Sequence, residues 1–323
     1  MELTLDISKL TIDDIAARIT LGLILEVSAY PKPGNVHRLR DFPDTRFEDF
    51  LISGVISYRY IRQAILRGRR RVPSKVLYGD LIYNAVNKSM NIHGGGNTHL
   101  GSLLMLVPIA VAIGYNIKTG LKKLDIKALL NLASKYVELY STIDDAIYLY
   151  KAVRVVKPSY ITNKDKTGEY PSVYTKDYRK VLKERKIKFW DALLASRNRD
   201  VIASEITSGY PLTYEVVEYI RDKLSRGIDW NAVIVDAFLY VLSKGVDTMV
   251  IRKFGDDIMR EVSLKAHEVL EAGGVESELG MKKAVELDDE LFSRGINPGS
   301  TADIIAAAIS LYSLLVKRSI IRR

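Results

Sequence analysis

Apolar residues recur with helical spacing along most of this chain. Ile15, Ile19 and Leu23 form one such stripe, behind a Thr11–Asp14 pair typical of a capping box. Pro31 and Pro33 are expected to end this first helix. The same reasoning predicts further helices over residues 48–66, 101–113, 126–139, 143–153, 214–224, 230–243, 256–271, 281–292 and 301–316.

Strand patterns are sparse by comparison. A short extended piece is expected only around residues 170–174. The surrounding segment 157–178 is polar and contains Pro, Gly, Asn and Asp, which predicts an irregular loop or flap. The sequence therefore predicts an all-α protein, with residues 1–323 forming a single compact multi-helix domain.

Composition narrows the classes of function. The 323 residues are 47% hydrophobic and 27% charged, which allows a sizeable core. The sequence has no cysteine, so disulfides, thiolate metal sites and a cysteine nucleophile are excluded. The amino terminus lacks the order of a signal peptide, and the longest apolar run, of about 12 residues, is too short to span a bilayer. We expect a cytoplasmic protein with no membrane partner.

The net charge of +9 raises the question of nucleic acid as a partner. The basic residues are dispersed, however, with local runs only at 67–71 and 179–186, and such runs are usually solvated faces. A positive field also favours small anionic substrates such as phosphate compounds. We therefore expect small anionic substrates rather than nucleic acid, while the charge keeps a non-catalytic nucleotide- or nucleic-acid-binding protein as an alternative.

Three consecutive glycines precede a predicted helix. Gly94, Gly95 and Gly96 run into Asn97-Thr98-His99, after which apolar residues follow at helical spacing. A backbone without side chains at a helix start can offer N–H groups to a phosphate. A tight turn needs glycine as well, and the loop lacks the Gly-Lys-Ser/Thr of a Walker A motif. His99 is either structural or a donor to a phosphate or a leaving base.

Other segments allow both a structural and a chemical interpretation. Lys32 in Pro31-Lys32-Pro33-Gly34-Asn35 stands on a rigid turn, as an exposed lysine or as a phosphate ligand. Asp41 and Asp44 suit Mg²⁺, which takes one or two carboxylates, and the alternative is that Asp44 or Thr45 caps the helix that begins near residue 48. Asp247 and Arg252 form either a surface pair or a metal ligand beside a phosphate clamp.

Two more segments also allow both a structural and a chemical interpretation. Glu205 is either a solvated glutamate or a base or ligand. Gly299, Ser300 and Asp303 lie at a second junction between a loop and a helix, where capping and anion binding are compatible.

Taken in order, these segments resemble the triphosphoribosyl-dephospho-CoA synthase family. The resemblance rests on Pro31-Lys32-Pro33-Gly34, Asn97-Thr98-His99-Leu100-Gly101, Glu205 to Pro211, Asp247-Thr248 with Arg252 and Gly255, and Asn297 to Asp303. It covers residues 26–315. The chain departs from the family around Asp41, where many relatives have Gly-Ala-His-x-Asp-Met, and before Glu205, where Ala203-Ser204 replace Arg-Gly.

The resemblance implies a Mg²⁺-dependent pentosyltransferase that joins the triphosphoribosyl group of ATP to the 2′-hydroxyl of 3′-dephospho-CoA and releases adenine. It makes Glu205 the expected base and His99 the donor to adenine. Expected metal ligands are Asp41, Asp44 and Asp247. Expected substrate-binding residues are Lys32, Asn35, Gly94, Gly95, Gly96, Asn97, Thr98, Arg252, Gly299, Ser300 and Asp303. A different nucleotide or acceptor, or glycohydrolase activity, is the alternative, and a homo-oligomer is compatible with the sequence.

Overall fold

In a computed structural model, the described residues are 3–70, 77–159, 161, 170–316 and 321. They form 15 α-helices and one two-stranded sheet, and the molecule is 73% helical, so the all-α prediction is confirmed. The helices are α1 (Ile12–Ser28), α2 (Phe47–Arg69), α3 (Gly79–His93), α4 (Leu100–Thr119), α5 (Ile126–Tyr140), α6 (Ile143–Val156), α7 (Tyr178–Glu184), α8 (Phe189–Ser196), α9 (Val201–Ser208), α10 (Pro211–Ser225), α11 (Trp230–Ser243), α12 (Thr248–Phe254), α13 (Asp256–Glu271), α14 (Glu278–Ser293) and α15 (Gly299–Leu315).

All ten predicted helices are present, and α11 and α13 have the predicted bounds. Five helices were not predicted, namely α3, α7, α8, α9 and α12. The strands, β1 (Thr4–Asp6) and β2 (Lys123–Asp125), pair antiparallel. The expected extended piece at 170–174 is irregular, and the described part of the predicted flap, before α7, is a loop.

Local capping explains several helix starts. The predicted Thr11–Asp14 capping box opens α1, where Asp14 accepts from the Thr11 backbone and Thr11 Oγ1 accepts from the Asp14 backbone. Thr142 and Asp145 form the same box at α6. The second carboxylate oxygen of Asp145 also accepts from three consecutive backbone N–H groups at the start of α3. One buried carboxylate therefore joins two helices.

Helix α4 runs through the middle of the core. It is longer than predicted, and by length and hydropathy, which averages 1.9 over its most apolar stretch, it passes as a candidate membrane span. However, 83% of that stretch is buried inside the molecule, as in the core helix of a soluble protein. Helix α2 packs along α4, and α1 packs between α2 and α15.

The packing of α1 on α15 determines how the candidate site is held. Ser310 on α15 donates to the Ile19 carbonyl at 2.7 Å. A Cβ at Gly22 would stand 2.0 Å from the Ser310 hydroxyl, so only glycine permits this approach. The close contact fixes the start of α15 relative to the segment that follows α1.

Candidate active site

Two neighbouring cavities lie where the loops before α4 and α15 approach α12. The polar cavity, of about 230 Å³, is lined by amide, carboxylate and imidazole groups, with Lys157 and Lys253 among its residues. The apolar cavity, of about 170 Å³, is lined mainly by Leu, Val and Tyr side chains of α4, α6, α8 and the 170–173 segment, and by Arg199 and Arg252. The two cavities share Asn97, Pro158, Met249 and Asp303.

Most of the predicted site residues meet at these cavities. Those that line the polar cavity are Asn35, Asp44, Gly96, Asn97, Thr98, His99, Gly299 and Asp303. Arg252 and Ser300 line the apolar cavity. Six predicted residues are absent from the described lining of both cavities: Lys32, Asp41, Gly94, Gly95, Glu205 and Asp247.

Lys32 does not reach outward as a phosphate ligand. Its side chain is fully buried and its ammonium group is bonded to the Glu26 carboxylate below the polar cavity. Burial lowers the pKa of Lys32 and raises that of Glu26, with each partner opposing the shift of the other. Lys32 thus forms an internal ion pair with Glu26, which itself lines the polar cavity, and its contact with a phosphate stays a prediction.

Asp288 on α14 contacts the loop after Lys32 and fixes its position. This carboxylate accepts from the Gly34 backbone at 2.9 Å and lies 3.0 Å from both His37 Nε2 and Arg40 Nε. Asn35 consequently projects to the polar cavity, where its amide nitrogen donates to Asn297 at 2.9 Å and its buried Oδ1 has no partner.

The three glycines do not offer free N–H groups. Gly94 donates to the Met90 carbonyl, Gly95 to His93 Nδ1 and Gly96 to the Asp44 carbonyl. Phosphate binding by these three residues stays a prediction. The glycines instead permit close approach, because a Cβ at Gly95 would stand 2.4 Å from the Asp49 carboxylate and one at Gly96 3.0 Å from the Asp44 carboxylate.

The two acids of the 41–45 segment have different surroundings. Asp41 accepts from the Phe47 backbone at 2.8 Å and so caps the first turn of α2, a role the sequence did not indicate for it. Asp44 lines the polar cavity. Among the described residues no three His, Asp or Glu side chains form a metal cluster, so a protein-only metal site is absent from that part of the chain.

Asp247 and Glu205 are both occupied by backbone groups. Asp247 is fully buried; one oxygen accepts from Met249 and Val250, and the other accepts from the backbone and hydroxyl of Thr301. Burial raises its pKa despite these bonds. In the structure Asp247 therefore caps α12 and joins it to α15, and its role as a metal ligand stays a prediction.

Glu205 has an equivalent position under α10. Its two oxygens accept from the Leu212 backbone and from the backbone and hydroxyl of Thr213, at 2.6 to 3.1 Å. Burial raises the pKa of Glu205. Both oxygens are directed at a helix start, and Glu205 is not among the described residues that line either cavity. Its role as the catalytic base stays a prediction.

His99 lies in the wall of the polar cavity, at the residue before α4. Its ring packs edge-on against Phe50 at 5.2 Å, and neither ring nitrogen has a hydrogen-bond partner of ordinary geometry. Burial and the nearby Lys32 ammonium lower the pKa of His99 to about 3, while the Leu23 carbonyl opposes the shift. The imidazole is therefore neutral at pH 7, able to donate a hydrogen bond but not an extra proton.

Asp303 occupies the wall common to both cavities. Its Oδ1 accepts from the Ser102 backbone at 2.7 Å and from the Ser102 hydroxyl. A Cβ at Gly101 would stand 2.0 Å from Asp303 Oδ2, so the absence of a side chain there leaves room for the carboxylate. Burial, reinforced by the Glu26 and Asp247 carboxylates, raises the pKa of Asp303 to about 7.

Sequence reasoning missed several residues of the apolar cavity. Asp200 lies in its lining, caps α9 and has a raised pKa because of burial, with Arg252 opposing the shift. Thr248 accepts from the Val201 backbone at 3.1 Å and lies 3.4 Å from Ser300. An aspartate directly before an apolar stripe is a capping signal that marks Asp200 in the sequence, but its proximity to Arg252 depends on the fold.

Comparison with known proteins finds relatives over nearly the whole chain. The family model described as ATP:dephospho-CoA triphosphoribosyl transferase matches residues 12–321. A Malonomonas rubra protein, described as a candidate 2-(5″-triphosphoribosyl)-3′-dephosphocoenzyme-A synthase, is 21% identical over 93% of this chain and 87% of its own length. A Stutzerimonas stutzeri protein with the same description is 35% identical over 32% of this chain and 36% of its own length.

A solved structure shares the fold. It is a candidate triphosphoribosyl-dephospho-CoA synthase from Archaeoglobus fulgidus, which aligns with a TM-score of 0.57 and 21% identity, covering 80% of this chain and 97% of that chain.

Proposed function

The chain belongs to the ATP:dephospho-CoA triphosphoribosyl transferase family, and from this premise we propose that it joins the triphosphoribosyl group of ATP to the 2′-hydroxyl of 3′-dephospho-CoA and releases adenine. The product is the precursor of a prosthetic group, made by a cytoplasmic enzyme. The observation that carries the proposal is the pair of chemically different cavities that meet at Asn97 and Asp303. Two substrates held in adjoining cavities can react at the shared wall.

The polar cavity takes the triphosphoribosyl end of ATP. Its buried Asn35 Oδ1 has no hydrogen-bond partner within the molecule, which is costly unless a ligand or water supplies one. The His99 ring nitrogens have no partner of ordinary geometry, although the Leu23 carbonyl influences the ring. Lys157 and Lys253 add positive charge to its lining. Neutral His99 donates an N–H hydrogen bond to the departing adenine in this arrangement, in place of the proton donor expected from the sequence.

The apolar cavity takes the acceptor, 3′-dephospho-CoA. Its Leu, Val and Tyr lining suits the apolar parts of that molecule, and Arg199 and Arg252 are suited to its diphosphate. This arrangement leaves the acceptor's 2′-hydroxyl near Asn97 and Asp303, beside the ribose carbon of ATP that loses its base.

Magnesium fits this donor set as part of a nucleotide complex. Mg²⁺ accepts one or two carboxylates and completes its shell with water and phosphate oxygens, so a three-residue protein cluster is not required. Asp44, with the amide oxygens of Asn35 and Asn97, offers hard oxygen donors in the polar cavity. The ion supplies charge neutralisation of the triphosphate when bound.

Mass spectrometry of the purified protein incubated with Mg-ATP, with and without 3′-dephospho-CoA, tests the proposal. The expected result is adenine together with a dephospho-CoA adduct heavier by one triphosphoribosyl unit, both absent without acceptor. Adenine without an adduct indicates glycohydrolase activity instead. Folded protein that binds ATP but yields no adenine rules out these substrates and directs attention to another nucleotide or acceptor.

An Asp44→Asn variant adds a test of the metal assignment. Removing one negative oxygen donor is expected to raise the Mg²⁺ concentration needed for half-maximal turnover. Asp41→Asn, which alters an acid of the same segment that caps α2, is the matched control and should leave that concentration within about twofold.

A further inference from the structure

The proposed transfer needs a base at the point where the two substrates meet. With both Glu205 oxygens directed at the start of α10, the carboxylate that lines both cavities is that of Asp303. Ser102 fixes one of its oxygens through two hydrogen bonds, and Gly101 leaves space beside the other. The second oxygen lies close to the Gly101 backbone, in the space that a side chain on residue 101 would occupy.

The charged and titratable groups around Asp303 come from several elements. Glu26 on α1 and Asp247 before α12 are the two carboxylates that raise its pKa, and the Lys32 ammonium lies close enough to be affected by its charge. The groups that share its cavities are Asp44, His99, Lys157, Lys253, Arg199, Asp200 and Arg252. The set is mixed in sign, so no single cation holds Asp303 permanently ionised.

We propose that Asp303 is the general base that takes the proton from the acceptor's 2′-hydroxyl. This assignment rests on the proposed function and replaces Glu205, and it makes Ser102 a positioning residue. Among the residues that the structure describes, Asp303 is the one carboxylate that lines both cavities, so it can reach a hydroxyl in one and a ribose in the other.

The step balances in atoms and electrons. The hydroxyl oxygen forms a bond to C1′ of the ATP ribose while the C1′–N9 bond breaks, and the electron pair of that bond leaves with adenine. The hydroxyl proton passes to Asp303 Oδ2. Adenine takes a proton from water, and Asp303 returns its own proton to solvent after product leaves.

The surroundings of Asp303 support this role. A base works best when its pKa lies near the working pH, and burial places the pKa of Asp303 at about 7. Below that pH the group is protonated and inactive, so the rate should fall on the acid side. Since the Ser102 hydrogen bonds lower the pKa of Asp303, removing the hydroxyl should move the acid limb to higher pH.

The experiment measures kcat and KM for ATP from pH 5.5 to 9 in wild type, Asp303→Asn and Ser102→Ala. Asp257→Asn is the matched control, because its side chain is 91% exposed on the surface. We expect Asp303→Asn to lower kcat about 10²- to 10⁴-fold, to keep KM for ATP within about threefold and to lose the acid limb. Ser102→Ala should retain turnover with its acid limb shifted to higher pH.

Circular dichroism shows whether the Asp303→Asn variant is folded, and calorimetry shows whether it binds ATP. If the Asp303→Asn variant is folded and binds ATP, yet keeps kcat within about tenfold of wild type and an unchanged acid limb, the base assignment is wrong while the proposed function stands. Wild-type protein that forms no adduct with 3′-dephospho-CoA overturns the proposed function, and the base assignment with it. The two failures are therefore distinguished by the wild-type reaction.

Discussion

Replacing Asp145 should destabilise the protein far more than replacing its counterpart in the other capping box. Asp145 is fully buried and accepts five hydrogen bonds, from Leu77, Tyr78, Gly79 and both polar groups of Thr142. The bonds to Leu77, Tyr78 and Gly79 lie at 2.7 to 2.9 Å. Three consecutive buried N–H groups thus depend on one carboxylate oxygen.

The magnitude follows from those orphaned donors. Each buried N–H left without a partner costs about 1–3 kcal/mol, offset in part because the desolvation cost of the carboxylate disappears. We expect Asp145→Ala to lower the free energy of unfolding by about 4 kcal/mol. Asp145→Asn keeps the shape and one acceptor, so its loss should be about 2 kcal/mol. Exposed Asp14 serves a single helix start, and Asp14→Ala should cost about 1 kcal/mol.

Urea unfolding followed by circular dichroism at 222 nm measures all three variants against wild type. The reasoning requires the order Asp145→Ala, then Asp145→Asn, then Asp14→Ala, from the largest loss to the smallest. Equal losses for Asp145→Ala and Asp14→Ala would refute the claim that one carboxylate stabilises two helices. If Asp145→Ala does not fold, the comparison of Asp145→Asn with Asp14→Ala still decides the question.

Three further outcomes follow from buried charges. Lys32→Met alone should lower the free energy of unfolding, measured in urea, by about 3 kcal/mol, because it leaves the Glu26 carboxylate unpaired. Adding Glu26→Leu should restore most of that loss. A double variant no more stable than the single one would contradict this. The pKa of Asp303 is raised from 3.8 to about 7, so the folded protein binds the carboxyl proton more tightly than the unfolded chain does. The free energy of unfolding should therefore fall as pH rises from 4 to 7, by at most about 4 kcal/mol from this group. The Tm of Asp303→Asn relative to wild type should consequently increase between pH 5 and 8, and a constant difference would disprove this account. The C2 proton resonance of His99 should not move between pH 5 and 8, since its pKa is about 3; a titration centred near 6.5 would show a solvated ring.

Helices whose starts are marked by nearby residues were predictable from the sequence, and a helix whose cap comes from a distant part of the chain was not. Helix α11 combines an apolar stripe with a local cap, Asp229, and α13 combines one with two acidic residues in its first turn, Asp256 and Asp257. Helix α3 also has an apolar face, but it begins at Gly79 with no side-chain cap of its own. Its cap is Asp145, 66 residues further along the chain, and a contact of that range leaves no pattern in the local sequence.

The same distinction applies to the candidate site. The motif segments do converge, and Asn97, His99 and Asp303 line the cavities, while their roles stay predictions. The sequence left the roles of Asp247 and Glu205 open, because a carboxylate that serves as a metal ligand or base and one that caps a helix have the same sequence signature. Which role applies depends on the N–H groups that reach the oxygens, and for Asp247 those include Thr301, 54 residues away.

The contact between Asp303 and Ser102 has a consequence for the order of folding. It joins residues 201 positions apart, and the contact between Asp288 and Gly34 joins residues 254 apart. Closing such long segments costs chain entropy that short-range helix formation does not, so these contacts form late. During refolding, helix content should recover before turnover does, because the proton acceptor reaches its position only when the two ends of the chain have met.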